Sequence, residues 1–139
     1  MGQLAEFAAN HPYLAIGVIA SLSAVVFYEL KLNTQRATSV SPGEAVLLIN
    51  KGALVIDVRK TEDFVQGHIV NARNIKLSAI ETDDKTLKRQ KSKALLTVCE
   101  NGGDSAKAAG ALRKAGYEKV ASLRAGLAGW RAENLPLVK

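Results

Sequence analysis

Cys99 is the only cysteine in a chain of 139 residues. It ends an apolar, β-like run, Ala94-Leu95-Leu96-Thr97-Val98, and opens the loop Glu100-Asn101-Gly102-Gly103-Asp104, which leads into a helical pattern from Ser105 to Ala115. A strand end, a glycine-rich turn and a helix start in succession aim backbone N–H groups, and the positive end of a helix dipole, at whatever the cysteine carries. Such a cradle favours the thiolate, which is the reactive form. The competing reading is a small apolar residue closing a buried strand. Gly102-Gly103 and Ser105, a good helix N-cap, weigh toward chemistry, and the local sequence leaves both readings open. Two acids frame the site. Glu100 follows the nucleophile and Asp104 precedes Ser105, and like charge at short range disfavours an ionised thiol. If both carboxylates point to solvent, water screens that effect.

The elements that must hold this loop alternate in type. Ser41-Pro42-Gly43-Glu44 is a helix-start pattern with Ser as N-cap, Pro at the first position and Glu at the third. A helix is expected over 42–50, a buried strand over 53–57, a helical turn over 61–66 and the approach to a second strand over 72–75. Further on come a helix around 84–90, a strand over 94–98, the helix over 105–115 capped by Gly116, a strand over 120–123 and a last helix over 127–133. This alternation argues for an α/β fold, a mostly parallel sheet with helices on both faces. Ligands of such sheets bind beyond the carboxyl ends of the strands. Asp57 and Cys99 each end a strand and are therefore expected on one pocket rim. Arg59 either supplies positive charge there or forms an ion pair with Asp57 or a loop carboxylate that fixes the loop.

Three motifs, in order, carry a resemblance. Asp57-Val58-Arg59 with Asp63-Phe64, Gly67-His68-Ile69, Ala72 and Asn74-Ile75 resembles the opening signature of the rhodanese-like domain. Cys99, with Gly102, Ser105 and Ala108-Ala109 beyond it, resembles the family's active-site loop and following helix. Leu123-Arg124-Ala125-Gly126-Leu127-Ala128-Gly129-Trp130, then Leu135-Pro136, is similar to its closing segment, with Ala125 in place of the first Gly. The resemblance covers about residues 38–139 and implies a rhodanese-like domain. It places His68 in a packing motif, which favours a structural hydrogen-bonding role over that of a base, and Trp130 is most simply a core or pocket-wall residue. A Cys-dependent phosphatase on the related fold needs a longer loop ending in Arg to grip phosphate, and Ser105 is reached without one.

A second signal lies upstream. From Phe7 to Tyr28 there is no formally charged residue, and the run approaches the ~20 residues that cross a bilayer. Tyr13 and Tyr28 sit where interfacial aromatics belong. Residues 1–10 hold no Lys or Arg, which argues against a cleaved signal peptide. The expected organisation is an anchor over 1–32, with its helix at about 11–30, a polar tether over 33–39 and the domain over 40–139. Residues 36–139 carry 18 basic against 11 acidic groups, a net of +7. The positive-inside tendency then places the domain in the cytoplasm of a single-pass protein of a bacterial inner membrane. The unpaired cysteine agrees with a reducing compartment. The basic residues are scattered with few aromatics between them, which argues for proximity to an anionic membrane over nucleic acid.

The expected function is sulfur transfer: the Cys99 thiolate attacks a sulfane sulfur, holds it as a persulfide and passes it to a thiol or cyanide. Glu100, Asn101, Gly102, Gly103, Asp104, Ser105, Asp57 and Arg59 are the expected substrate-binding residues. The two acids point away from thiosulfate and toward a protein or low-molecular-weight persulfide donor. No cofactor is required, and one Cys with two distant His residues offers no metal-ligand spacing. The alternative is a membrane-tethered adaptor that keeps the fold with little catalysis, placed beside a membrane-protein partner.

Overall fold

The computed structural model describes residues 2–81 and 85–139, and divides into two compact units at Ala37/Thr38. The first unit holds α1 (Gly2–Asn10) and α2 (Pro12–Ala37). Within α2, residues Pro12–Asn33 form a stretch of 22 residues long and apolar enough to cross a membrane. Large side chains along it, among them Ile16, Ile19, Leu22 and Val25, are exposed. The residues expected as a tether, 33–39, are instead helical through Ala37 and pass into a strand at Ser39. Asn33, Thr34 and Gln35 are polar yet carry no Gly or Pro, so nothing in their chemistry stops a helix already formed.

The second unit runs β1 (Ser39–Val40), α3 (Pro42–Asn50), β2 (Leu54–Asp57), α4 (Thr61–Gln66), β3 (Arg73–Asn74), α5 (Leu77–Glu81), α6 (Lys85–Lys88), β4 (Leu95–Val98), α7 (Gly103–Lys114), β5 (Val120–Leu123) and α8 (Gly126–Ala132). The five strands form one sheet in the order β1-β5-β4-β2-β3, and each adjacent pair is parallel. Side chains alternate across it, as a pleated strand requires. Ile56, Leu95, Cys99 and Val120 face a core that also takes Ala108, Ala109 and Leu112 of α7. Val55, Leu96, Val98 and Leu123 face another core with Ala45 of α3 and Leu127 and Trp130 of α8. Helices therefore cover both faces.

Local sequence explains where the elements begin. Ser41 and Glu44 form the expected capping box, with Glu44 N–H donating to Ser41 Oγ at 3.3 Å and Ser41 N–H to Glu44 Oε2 at 2.8 Å. The strands β2 and β4, the helix α7 and the last helix lie within one or two residues of their expected spans. The helix expected around 84–90 is α6, shorter and ending at Lys88, and Asp84 lies outside the described residues. The short strand β1 and helix α5 were not expected. Two-residue strands carry no readable period, and β1 exists because Arg124 N–H donates to Val40 O at 2.8 Å and Ser122 N–H to Thr38 O at 3.0 Å.

Candidate active site

The carboxyl ends of β2 and β4 lie side by side, with Asp57 in register with Val98. Cys99 follows β4 and is 3% exposed. Its Sγ accepts from Gly102 N–H at 3.0 Å and donates to Ser105 Oγ at 3.4 Å. Ser105 Oγ in turn donates to Gly102 O at 3.1 Å. Gly102 takes a left-handed backbone, φ +96°, which turns its N–H toward the sulfur at little cost only in glycine. Gly103 N–H donates to Asn101 Oδ1 at 3.3 Å, so its hydrogen bond fixes the loop while that of Gly102 serves the sulfur. Thr97 Oγ1 donates to Ser105 O at 2.8 Å, tying the first turn of α7 back to β4.

The outer side of the loop is held by α8. Leu127 N–H donates to Cys99 O at 2.9 Å and Ala128 N–H to Glu100 O at 3.0 Å. These are unpaired donors of a helix start, spent on two carbonyls of the turn that holds Cys99.

Cys99 opens into a pocket of about 780 Å³. Of the residues expected to bind substrate, Arg59, Glu100, Asn101 and Asp104 line it, whereas Asp57, Gly102, Gly103 and Ser105 do not. Asp57 is 1% exposed. Its two oxygens are taken by Arg59: Oδ1 accepts from the backbone N–H at 3.0 Å and Oδ2 from Nη2 at 2.8 Å, with Nε at 3.1 Å from each. Arg59 Nη2 also donates to Gly67 O at 2.7 Å. The pair fixes the loop after β2, and both Asp57 oxygens are turned to Arg59. Burial lowers the pKa of Arg59, but hydrogen bonds to Asp57 and the charges of Asp57, Glu100 and Asp63 outweigh it, holding the guanidinium above its ordinary value. The cation is permanent.

The remaining Nη1 of Arg59 donates to Glu100 Oε2 at 3.3 Å, and Arg131 of α8 donates to Glu100 Oε1. Glu100 is thus clamped between two guanidinium groups, and the charge expected to oppose a thiolate is compensated on both oxygens. Asp104 is exposed and pairs with Lys107 at 3.5 Å. Arg59, Lys60, Arg131 and Lys139 share the pocket wall with Asp63, Glu100 and Asp104, and with buried Asp57 behind Arg59 the charges balance. Arg131 escaped the sequence reading because it lies 32 residues past Cys99. The one signal for it was that the closing motif ends next to it. His68 is structural, its Nδ1 3.0 Å from Phe64 O and its ring stacked on Phe64 at 3.9 Å. Trp130 is buried in the core and donates through Nε1 to Pro136 O at 3.0 Å.

The family model of the rhodanese-like domain matches residues 41–133, from the capping box through α8. The chain belongs to the rhodanese-like family. This rhodanese-like chain is 39% identical over 141 residues to the uncharacterised protein YibN of Escherichia coli K12, covering 100% of this chain and 99% of that one. It is also 32% identical over 93 residues to the thiosulfate sulfurtransferase GlpE of Ectopseudomonas mendocina, covering 67% of this chain and 84% of that one. Among solved structures, a rhodanese-related protein from Thermoplasma volcanium superposes with a TM-score of 0.64 at 27% identity, covering 72% of this chain and 96% of that one. A rhodanese homologue from Thermus thermophilus gives 0.55 at 34% identity over 65% and 96%. The rhodanese-like domain thus occupies the second unit, and Cys99 stands in the loop between β4 and α7.

Proposed function

We propose that this protein is a sulfurtransferase in which Cys99 carries sulfane sulfur. The observation that carries the reading is the Gly102 N–H, 3.0 Å from the Sγ of Cys99, where Cys99 lines a pocket together with Arg59 and Arg131. The thiolate attacks the outer sulfur of a donor such as thiosulfate, a new S–S bond forms, and the donor's S–S bond breaks with its electron pair leaving on sulfite. An acceptor thiolate or cyanide then attacks the outer sulfur of the persulfide, and Cys99 leaves as the thiolate. The Gly102 N–H stabilises negative charge on Sγ in both half-reactions. The clamped Glu100 makes an anionic donor acceptable beside the nucleophile, and the relationship to a thiosulfate sulfurtransferase supports the same reaction class. The long apolar stretch of α2 supports a single-pass anchor, and the charge balance supports a cytoplasmic domain.

Intact-protein mass spectrometry of the full chain in detergent, after incubation with thiosulfate or a polysulfide, tests this reading. The expected result is a gain of about 32 Da, one sulfur on the attacking thiolate, in the wild type and none in Cys99→Ser. A folded, reduced protein that gains no sulfur from either donor is an adaptor instead.

A further inference from the structure

The sheet has two poles, and their charges differ. At the catalytic pole, carboxylates and guanidinium groups are interleaved and paired. The opposite pole is formed by the turns that precede β5, β4 and β2, adjacent strands of the sheet. Backbone bonds join them: Leu95 N–H donates to Lys119 O at 2.8 Å and Leu54 N–H to Ala94 O at 2.9 Å. Residues 50–53, 89–94 and 114–119 carry Lys51, Arg89, Lys91, Lys93, Lys114 and Lys119 against the single acid Glu118. All six cations are exposed. Lys91 lies over the ring of Tyr117 at 5.8 Å. Among the described residues, Lys51, Lys93, Lys114 and Lys119 form no ion pair. An uncompensated cluster of this size on one pole is an electrostatic docking surface for a polyanion.

The course of the chain says which polyanion. All strands are parallel, and β1 pairs with the second half of β5, Ser39 opposite Ser122 and Val40 opposite Leu123. The chain enters this unit at Thr38, whose carbonyl accepts from Ser122 N–H at 3.0 Å, directly after the apolar helix α2 in sequence. The unit thus begins at Thr38, a few residues past Asn33, where the apolar stretch ends, so a bilayer that holds the stretch lies within reach of the unit's basic pole. Neighbouring turns are about 5 Å apart, the strand spacing, so the cations form a broad, shallow front that suits a plane of headgroups better than a groove suits a single ligand.

We propose that this basic pole docks onto the anionic phospholipid surface into which α2 inserts, leaving the Cys99 pole turned away from the bilayer and open to soluble donors and acceptors. The proposal deepens the anchored-sulfurtransferase reading and rests on its anchor. Each exposed Lys or Arg held within a Debye length of an anionic leaflet adds attraction that salt weakens.

The test uses the full chain with vesicles of phosphatidylcholine alone or with phosphatidylglycerol, read by flotation and by amide hydrogen exchange. Flotation with neutral vesicles, resistant to salt, reports the anchor alone. A face docked two-thirds of the time exchanges about threefold more slowly, because exchange proceeds from the undocked third. That slowing is expected over 50–53, 89–94 and 114–119 only in the anionic vesicles. It is reversed by high salt and by the triple variant Lys51→Glu, Lys93→Glu, Lys119→Glu, which retains sulfur loading at Cys99. Equal exchange in both vesicles, with the chain floated, overturns the docking surface and leaves the anchor standing. Flotation only with anionic vesicles, lost in the triple variant, upholds the surface and removes the anchor. No flotation with either vesicle overturns both. Stronger slowing by duplex DNA than by anionic vesicles at the same salt assigns the pole to nucleic acid and overturns the proposal.

Discussion

Gly126 packs its backbone against the carbonyl group of Cys99. A methyl group there would press on the Cys99 carbonyl oxygen and lie 2.7 Å from the carbonyl carbon and oxygen of Glu100, and φ is +58°. Close approach is what lets Leu127 N–H reach Cys99 O at 2.9 Å. Gly126→Ala is therefore expected to cost about 2–5 kcal/mol, combining a left-handed backbone with overpacking, and to displace the nucleophile's turn. Urea denaturation measures the first effect. Loss of sulfur loading at Cys99 under conditions where the variant is still folded measures the second, and unchanged loading refutes the link between this contact and the site.

Ala125, the neighbour, presents the reverse case. Its φ is +57°, a left-handed conformation that costs a non-glycine residue about 1–2 kcal/mol. Glycine removes that strain but loses about 0.5–1 kcal/mol through the freer unfolded chain. Ala125→Gly is expected to raise stability slightly, by about 0.5 kcal/mol. A lower urea midpoint for the variant shows that the Ala125 methyl, which packs near Gly129, contributes more than the strain takes away.

How much of this was legible beforehand follows from the range of each interaction. The β4–loop–α7 unit around Cys99 was readable because its signals lie within a few residues of one another: an apolar run, two glycines, a capping Ser. The pocket rim was half legible. Asp57 and Arg59 both fall at a strand end, but only geometry shows the two oxygens of Asp57 turned to Arg59 rather than to a ligand. Glu100 looked like an unfavourable charge because its compensating partners, Arg59 and Arg131, lie 41 and 31 residues away. Residues 33–37, polar in sequence, continue α2, because polarity alone does not end a helix.

The clamp on Glu100 has a kinetic consequence. Arg131→Gln leaves the carboxylate held only by Arg59 Nη1 at 3.3 Å, and an anionic donor then meets a less compensated charge. The expected loss in kcat/KM for thiosulfate is about tenfold, the scale of one charge-assisted hydrogen bond at a partly exposed site. Glu100→Gln added to Arg131→Gln recovers most of it. If the double variant is as slow as the single, Arg131 acts on the donor directly and not through Glu100.

Acid stability has a local component at the start of α3. Hydrogen bonds from the Ser41 backbone and hydroxyl, in that order, outweigh slight burial and hold the Glu44 carboxyl below its ordinary value of 4.5. A carboxyl whose folded pKa is depressed contributes stability at pH above its unfolded value and loses it as pH falls through the folded one. Glu44→Gln is expected to lower stability at neutral pH and to flatten the fall below about pH 4.5, the unfolded reference. Thermal melts from pH 3 to 7 check the sign. Parallel curves for the two proteins remove Glu44 from the acid transition.

Asp57 and Arg59 test whether the pocket wall is built by charge pairing. Arg59 is 8% exposed and Asp57 1%, so Asp57→Ala strands a buried guanidinium whose pKa the pair holds up. Removing one partner of a buried pair typically costs about 3–5 kcal/mol, mostly the desolvation of the charge left behind. Arg59 also donates to Gly67 O at 2.7 Å and to Glu100 at 3.3 Å, so its displacement loosens the loop after α4 and frees one side of the Glu100 carboxylate. Asp57→Asn keeps an acceptor for the backbone N–H and for one guanidinium donor, and is expected to fall between wild type and Asp57→Ala in urea midpoint. An Asp57→Ala protein as stable as wild type shows that Arg59 finds water or Glu100 at no cost, and that packing, not the ion pair, shapes the wall.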